Sequence, residues 1–161
     1  MSDLCGMSAP RLSRRSPAIA LQTPEGLLSA IHAKGSYLCV GLDPDPAKIP
    51  AAFGAGVEGM EAFCLAMVQA TQHVAVAYKP NLAFFEQYGA AGWAALERVV
   101  EQIPSDVLVI ADAKRGDIGN TATRYARAMF EGLGADAVTV VPYMGRDSIE
   151  PFTAFEGRWT I

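Results

Sequence analysis

The chain has 161 residues, of which 51% are hydrophobic and 19% are charged, so it is long enough and apolar enough to fold around one core. Its net charge of -4 and the lack of a basic stripe argue against a nucleic-acid partner, and no apolar run has the length of a membrane span. The three cysteines lack metal-ligand spacing, which argues against a zinc site or a disulfide framework and is typical of the reducing cytoplasm. We therefore expect a cytoplasmic protein that binds a small molecule.

The N-terminal segment differs in composition from the rest of the chain. Residues 1–20 are rich in Ser, Pro and Arg, and no continuous apolar stretch of the kind found in secretory signals follows them. We predict a disordered leader at residues 1–20 and one domain at residues 21–161. A transit peptide for an organelle is the alternative interpretation of this basic segment.

From residue 37 onward, short apolar runs alternate with longer segments of helical period, which is typical of repeated βα units around a parallel sheet. Near-continuous apolar runs predict buried strands at 37–42, 74–79, 107–112 and 137–141. Apolar stripes predict helices around 60–68, 93–103 and 122–130. The sequence therefore predicts repeated βα units along most of the chain.

The last segment continues this pattern. Asp147 and Glu150 have the spacing of a capping box, so a short helix is predicted to start at Asp147. Residues 159–161 have the composition of the start of a fifth strand. About four βα units fit either a small open α/β sheet or the first half of a (β/α)8 barrel, whose usual length is about 250 residues.

Charged residues follow three successive predicted strands at the point where each strand ends. Asp43 follows the first strand, Lys79 ends the second and Asp112 ends the third. Side chains at positions i and i+2 of a strand share a face, so Lys114 is expected to point the same way as Asp112, with Asp117 on the loop or helix start beyond it. Because functional residues of a (β/α)8 barrel collect at this rim, we predict the N-terminal half of such a barrel.

Each of these residues also has a purely structural interpretation. Asp43 could begin an Asp-Pro turn, and Lys79 could be an exposed lysine at a strand end. Asp112 and Lys114 could form a structural salt bridge, and Asp117 could cap the following helix. Their coincidence at the same end of successive strands favours a functional site, because burying opposed charges is costly unless function requires it.

Four separate blocks of the sequence, in order and spacing, resemble the orotidine 5'-phosphate decarboxylase family in its bacterial form. The blocks are Gly41-Leu42-Asp43-Pro44-Asp45, Lys79-Pro80-Asn81 with Ala83-Phe84-Phe85-Glu86, Asp112-Ala113-Lys114-Arg115-Gly116-Asp117-Ile118-Gly119 with Thr121, and Pro142-Tyr143-Met144-Gly145 before Pro151-Phe152. The resemblance covers about residues 21 to 161. A bare Asp-x-Lys-x-x-Asp motif also occurs in related barrels that act on sugar phosphates, but Gly116 and the Lys79 block favour the decarboxylase.

The resemblance implies decarboxylation of orotidine 5'-monophosphate to uridine 5'-monophosphate and carbon dioxide in pyrimidine biosynthesis, with no metal or organic cofactor. Lys114 would protonate the carbanion that forms at C6 of the pyrimidine, and Asp112 would lie against the substrate carboxylate. Asp112 and Asp117 would keep Lys114 protonated. The catalytic set implied by the resemblance is Lys114, Asp112, Asp117 and Lys79.

The resemblance also implies a substrate-binding set and a partner. Asp43 and Lys79 would contact the ribose hydroxyls, and Asn81 would be a further pocket residue. Asp117 and Thr121 would reach into the site of a neighbouring subunit, so a homodimer with shared active sites is implied.

The resemblance covers only an N-terminal part of the family's barrel, without the residues that grip the substrate phosphate. Binding energy from such a remote group is a main source of transition-state stabilisation, so we expect the chain alone to have little activity. Two other hypotheses remain open from the sequence. One is a sugar-phosphate lyase or epimerase barrel that uses a divalent metal, and the other is a truncated remnant without catalysis.

Overall fold

The computed structural model describes residues 19–161 and shows five parallel strands connected by helices. The strands are β1 (Leu38–Leu42), β2 (Ala75–Pro80), β3 (Leu108–Arg115), β4 (Ala137–Val140) and β5 (Trp159–Thr160). The helices are α1 (Pro24–Lys34), α2 (Gly56–Thr71), α3 (Leu82–Glu86), α4 (Gly89–Gln102), α5 (Gly119–Arg127) and α6 (Glu150–Thr153). Helix α5 continues as one π-helical turn, Ala128–Gly132.

The strands are hydrogen-bonded in sequential order, β1-β2-β3-β4-β5, and every pair is parallel. A doubly wound sheet places its first strand in the middle and reverses the strand order, whereas a barrel adds each new strand to the same edge. Because parallel crossovers are right-handed, sequential addition puts all the crossover helices on one face of the sheet. The strand order therefore decides between the two folds that the sequence left open, in favour of the barrel type.

The main core lies between the sheet and the crossover helices. Tyr78 of β2 and Leu96 of α4 are fully buried in it, as are Phe85 of α3 and Phe130 of the π-helical turn. These side chains follow the apolar stripes of the sequence, because each helix buries one stripe and each strand buries alternate residues against it.

A smaller cluster covers the opposite face of the sheet at the N-terminal ends of the strands. Leu21 packs there with Ala77 and Leu108, and the partly buried Trp159 joins them. The indole N–H of Trp159 donates to the carbonyl oxygen of Leu21 at 2.8 Å. The segment around α1 therefore covers this face at the N-terminal ends of the strands. It leaves the face open at the C-terminal ends, where the charged residues lie.

Helix α1 was not among the predicted elements. It begins after Thr23, whose hydroxyl accepts from the backbone N–H of Gly26 at 3.1 Å, and Pro24 occupies the first turn, where its missing N–H is harmless. It ends at Gly35, which adopts a left-handed backbone with φ +57°. The predicted leader lies outside the described residues except at positions 19 and 20, which start a 3-10 turn at Ile19–Gln22.

The predicted strands are confirmed to within a few residues at their ends, and the predicted fifth strand is present as β5. The prediction of a helix starting at Asp147 is wrong. Residues Arg146–Ser148 form a 3-10 turn, and α6 begins at Glu150 without a side-chain cap. The Glu150 carboxylate pairs with Arg146 at 2.7 Å, so it does not reach back to complete a capping box.

Candidate active site

The candidate site is centred on Asp112, near the C-terminal end of β3. Its carboxylate Oδ2 accepts from Lys79 Nζ at 2.8 Å, and its Oδ1 accepts from Lys114 Nζ at 2.5 Å. Asp112 is only 7% exposed, whereas Lys79 is 35% and Lys114 is 65% exposed. The arrangement is a buried carboxylate with two ammonium groups on its open side.

These partners determine how the site ionises. Burial alone would raise the pKa of Asp112, but hydrogen bonds from Lys114, Lys79 and Thr139 outweigh it and lower the pKa to about 2. The hydrogen bond to Asp112 raises the pKa of Lys79, and the charge of Asp43 adds to that effect. At neutral pH the site therefore holds an ionised Asp112 beside a protonated Lys79.

Lys114 reaches Asp112 by a route that the sequence did not predict. Strand β3 pairs with β4 through Ala111 with Val138 and then through Arg115 with Val140, so the register shifts between the two pairs. Lys114 lies in this bulge with φ +47°, and it is the one residue other than glycine with a positive φ in the described part of the chain. Regular alternation along β3 therefore stops before Lys114, although its ammonium meets Asp112 as expected.

Thr139 of β4 is a site residue that sequence reasoning missed. Its hydroxyl donates to Asp112 Oδ1 at 3.0 Å and accepts from the backbone N–H of Lys114 at 2.9 Å. In the sequence Thr139 is one β-branched residue among the valines of a predicted strand, and threonine is common in strands. The available signal was its alternation with Val138, which packs in the main core and so leaves Thr139 on the opposite face.

Asp43 and Asn81 form a second group at the same rim. The Asn81 side-chain amide donates to Asp43 Oδ1 at 2.8 Å, and its backbone N–H donates to the Leu42 carbonyl at 3.0 Å. Asn81 also forms an isolated parallel bridge with Asp112. The structure thus brings five of the seven predicted site residues to one edge of the sheet: Asp43, Lys79, Asn81, Asp112 and Lys114.

Asp117 and Thr121 lie apart from this cluster. The Asp117 carboxylate accepts from the backbone N–H of Ile118 at 2.8 Å, and no ion pair within residues 19–161 joins it to Lys114. The alternative of Asp117 as a helix cap is wrong, because α5 begins at Gly119 after Ile118 and has no side-chain cap. The Thr121 hydroxyl contacts only the neighbouring Asn120, at 3.4 Å, among the hydrogen bonds that the structure shows for it.

Arg115 points away from the charged cluster and joins two of the surrounding elements. Its guanidinium forms an ion pair with Glu86 at the end of α3 and lies 5.5 Å from the ring centroid of Tyr125 in α5. The following residue, Gly116, packs against the next strand so closely that a Cβ there would lie 2.7 Å from the Val141 carbonyl oxygen. The turn after Lys114 therefore requires glycine at this position.

Two general findings apply to the described residues. No group of three or more His, Cys, Asp or Glu side chains within residues 19–161 is arranged to hold a metal ion. No helix in that range is long and apolar enough to cross a membrane.

Comparison with known proteins identifies the family. The profile of the "Orotidine 5'-phosphate decarboxylase / HUMPS family" matches residues 36–155, which include the whole charged cluster. The chain belongs to this family. It is 55% identical over 134 residues to the orotidine 5'-phosphate decarboxylase of Roseiflexus castenholzii and 51% identical over 142 residues to that of Flavobacterium johnsoniae.

These matches cover 83% and 86% of this chain but 49% and 52% of the two relatives. The chain therefore spans about half the length of the curated relatives it matches. Among solved structures, the OMP decarboxylase of Leishmania donovani superposes with a TM-score of 0.73 at 39% identity, covering 84% of this chain and 52% of that one. A Toxoplasma gondii protein assigned to the same activity gives a TM-score of 0.82 at 42% identity, over 89% and 48% of the two chains.

The comparisons confirm the predicted fold. The structural relatives within the decarboxylase family are TIM barrels, and this chain aligns with about half of the length of each. Its five sequential parallel strands correspond to part of a closed barrel, and the residues around Asp112 lie at the C-terminal ends of those strands. That rim is where barrel enzymes place their active sites.

Proposed function

We propose that the protein to which this chain corresponds converts orotidine 5'-monophosphate to uridine 5'-monophosphate and carbon dioxide. The observation that carries the proposal is the contact between Lys114 Nζ and the buried Asp112 carboxylate at 2.5 Å, at the rim of the sheet. This pair places an exposed ammonium beside a buried negative charge. The name shared by the relatives supports the choice of substrate.

Lys114 is the proposed proton donor. Loss of carbon dioxide leaves an electron pair at C6 of the pyrimidine, and an ammonium next to that carbon stabilises the developing charge and then protonates it. Lys114 is suited to this role because its side chain is 65% exposed toward the open face while Asp112 holds its ammonium. The proton moves from Nζ to C6, and carbon dioxide leaves with no electron transfer to the protein.

Asp112 is the proposed source of electrostatic stress on the substrate. With a pKa of about 2 it stays ionised at neutral pH, so a substrate carboxylate placed beside it is repelled. Two like charges about 4 Å apart at an effective dielectric of about 20 repel by about 4 kcal/mol. This repulsion disappears as carbon dioxide leaves, whereas the attraction of Asp112 for Lys114 persists.

Asp43, Lys79 and Asn81 are the proposed ribose-binding residues. Asp43 accepts from Asn81 at 2.8 Å, and Lys79 is anchored on Asp112, so each retains further hydrogen-bonding capacity toward the open face. Carboxylate, amide and ammonium groups together can accept from and donate to a pair of adjacent hydroxyls. This arrangement would orient the nucleotide with its pyrimidine toward Lys114.

Asp117 and Thr121 are proposed to act in a neighbouring subunit of a cytoplasmic homodimer. The support is that both follow Lys114 closely in the chain, yet their side chains make only local hydrogen bonds and leave Lys114 uncontacted. Exposed apolar side chains next to them, Ile118 and Tyr125, provide surface for such a contact. An active site formed within one subunit would instead require Asp117 to pair with Lys114 of the same chain.

The test is decarboxylation measured by the loss of orotidylate absorbance. We would assay the purified chain alone and together with the second half of the Roseiflexus castenholzii relative, expressed separately, with and without a strong chelator. We expect little turnover by the chain alone, clear turnover by the reassembled pair, and no effect of the chelator. Turnover lost with the chelator would contradict a mechanism without a metal.

Two lysine variants make the test specific. In the reassembled pair, K114A should abolish turnover, because it removes the ammonium that is proposed to protonate C6. The matched control is K48A, which removes an exposed lysine paired with Asp45 on the loop after β1. Equal activity of K114A and K48A would contradict the assignment of Lys114 as proton donor.

A further inference from the structure

The bulge in β3 faces a single residue of the neighbouring strand. Between the pair Ala111 with Val138 and the pair Arg115 with Val140, β3 contains residues 112 to 114, whereas β4 contains Thr139 alone. A bulge of this kind leaves backbone groups of the longer strand without their usual partners across the ladder. In this bulge one side chain supplies the partner.

The Thr139 hydroxyl makes two contacts of opposite polarity. It accepts from the backbone N–H of Lys114 at 2.9 Å and donates to Asp112 Oδ1 at 3.0 Å. A hydroxyl has one proton and two lone pairs, so both contacts can form at once. The direction of each hydrogen bond is fixed, because an N–H can only donate and a carboxylate can only accept. The same Asp112 oxygen accepts from Lys114 Nζ at 2.5 Å, which closes a small ring of hydrogen bonds.

The backbone of Lys114 needs such support. Its φ of +47° is a conformation that side chains larger than glycine adopt rarely, and it persists only where surrounding contacts impose it. The contact to Thr139 is the hydrogen bond that the structure shows for the Lys114 backbone N–H. Thr139 is also half-buried, so water competes poorly for its hydroxyl.

We propose that Thr139 is a positioning residue of the decarboxylase site, which holds the left-handed backbone of Lys114 and orients the Asp112 carboxylate toward the Lys114 ammonium. This inference rests on the proposed function for its chemical consequence, but its geometric part concerns the chain itself. A purely structural role in the strand would not need the hydroxyl, because valine has nearly the same shape, is also common in strands and would fill the position without hydrogen bonds. The hydrogen bond from Thr139 also contributes to lowering the pKa of Asp112.

The first test uses NMR on the chain itself and needs no activity. In T139V, we expect the pKa of Asp112, followed by its carboxyl carbon, to rise by about one pH unit, since hydrogen bonds to charged groups have that magnitude. The Lys114 amide should exchange with solvent at least about tenfold faster once its acceptor is lost. T139S keeps the hydroxyl and should restore both values to near those of the original chain.

The matched control is T71V. Thr71 also bears a hydroxyl with two contacts, to the Met67 carbonyl at 2.7 Å and to the Tyr78 hydroxyl at 2.7 Å, but it lies on α2 away from the site. We expect T71V to leave the pKa of Asp112 and the exchange of the Lys114 amide unchanged. Unchanged values in T139V as well, or the same change in T139S as in T139V, would overturn the inference.

The second test uses the reassembled enzyme. T139V should lower kcat about tenfold with little change in KM, because a misdirected ammonium affects the step at C6 more than substrate binding. T139S should recover most of that loss. If T139V changes the NMR values but the original enzyme does not decarboxylate orotidylate, the proposed function fails while the geometric role of Thr139 stands. If the NMR values change and kcat does not, Thr139 is structural and the positioning role is refuted.

Discussion

The ionisation of Asp112 predicts how the stability of the fold depends on pH. Its pKa in the folded chain is about 2, below the ordinary value of 3.8, so the carboxylate stabilises the fold above pH 3.8 and loses that contribution as the pH falls through 2. The difference corresponds to about 2 kcal/mol in total, and about half of it is lost between pH 6 and pH 3. Because Asp112 is only 7% exposed, solvent screening reduces this figure little.

The variant D112N tests this magnitude. Asparagine preserves the shape of the side chain but has no charge to lose, so its contribution does not change with pH in this range. We expect D112N to be less stable than the original chain at pH 6, and the gap between them to narrow by about 1 kcal/mol at pH 3. Urea unfolding followed by tryptophan fluorescence at several pH values gives both free energies of unfolding.

A control separates this effect from general acid destabilisation. Asp147 is exposed on the turn before α6, so D147N removes a carboxylate without disturbing a buried cluster. Its stability should follow that of the original chain at every pH. A gap between D112N and the original chain that stays constant from pH 6 to pH 3 would refute the argument that Asp112 is held ionised by its two lysines.

Three further predictions concern the rest of the fold. D136A should lower the free energy of unfolding by about 3 kcal/mol in urea titrations, because it removes a buried carboxylate 3.5 Å from Arg158; a loss below about 1 kcal/mol would contradict this. W159F should lower the free energy of unfolding by about 1 kcal/mol, because it removes the 2.8 Å hydrogen bond to the Leu21 carbonyl. Unchanged stability would show that this hydrogen bond does not hold the N-terminal segment in place. Burial raises the pKa of Cys64 to about 12, so mass spectrometry at pH 8 should find Cys64 unlabelled by a thiol reagent until urea unfolds the chain. Labelling of Cys64 in the folded chain would be the contrary result.

The charged cluster shows how far reasoning from the sequence reached. Asp43, Lys79 and Asp112 were predicted to meet at one rim because each ends a strand, and the structure places them there. The side chains of Lys114 and Asp112 were expected to meet, and their charged atoms are 2.5 Å apart. The reason was different, because a bulge with a left-handed residue replaces regular strand alternation.

The elements that were missed or wrong have local causes. Helix α1 follows a capping threonine and a proline. These two residues are a short signal for the start of a helix, and they are easily overlooked after the segment rich in Ser, Pro and Arg. The predicted cap at Asp147 failed because Glu150 pairs with Arg146, four residues before it. Matching spacing is necessary for a capping box, but competing partners decide whether it forms.

The sequence by itself determined the repeated βα units, the apolar faces of the strands and the strand ends that bear charge, because burial periodicity and the turn after each strand are local properties. Only the tertiary structure decided the order of the strands, the bulge at Lys114 and the role of Thr139. Those features depend on which backbone groups face each other across β3 and β4, and residues 25 positions apart in the chain carry no mark of that pairing. Asp112 had a recognisable motif, whereas the hydroxyl that orients it became visible only when the two strands were placed side by side.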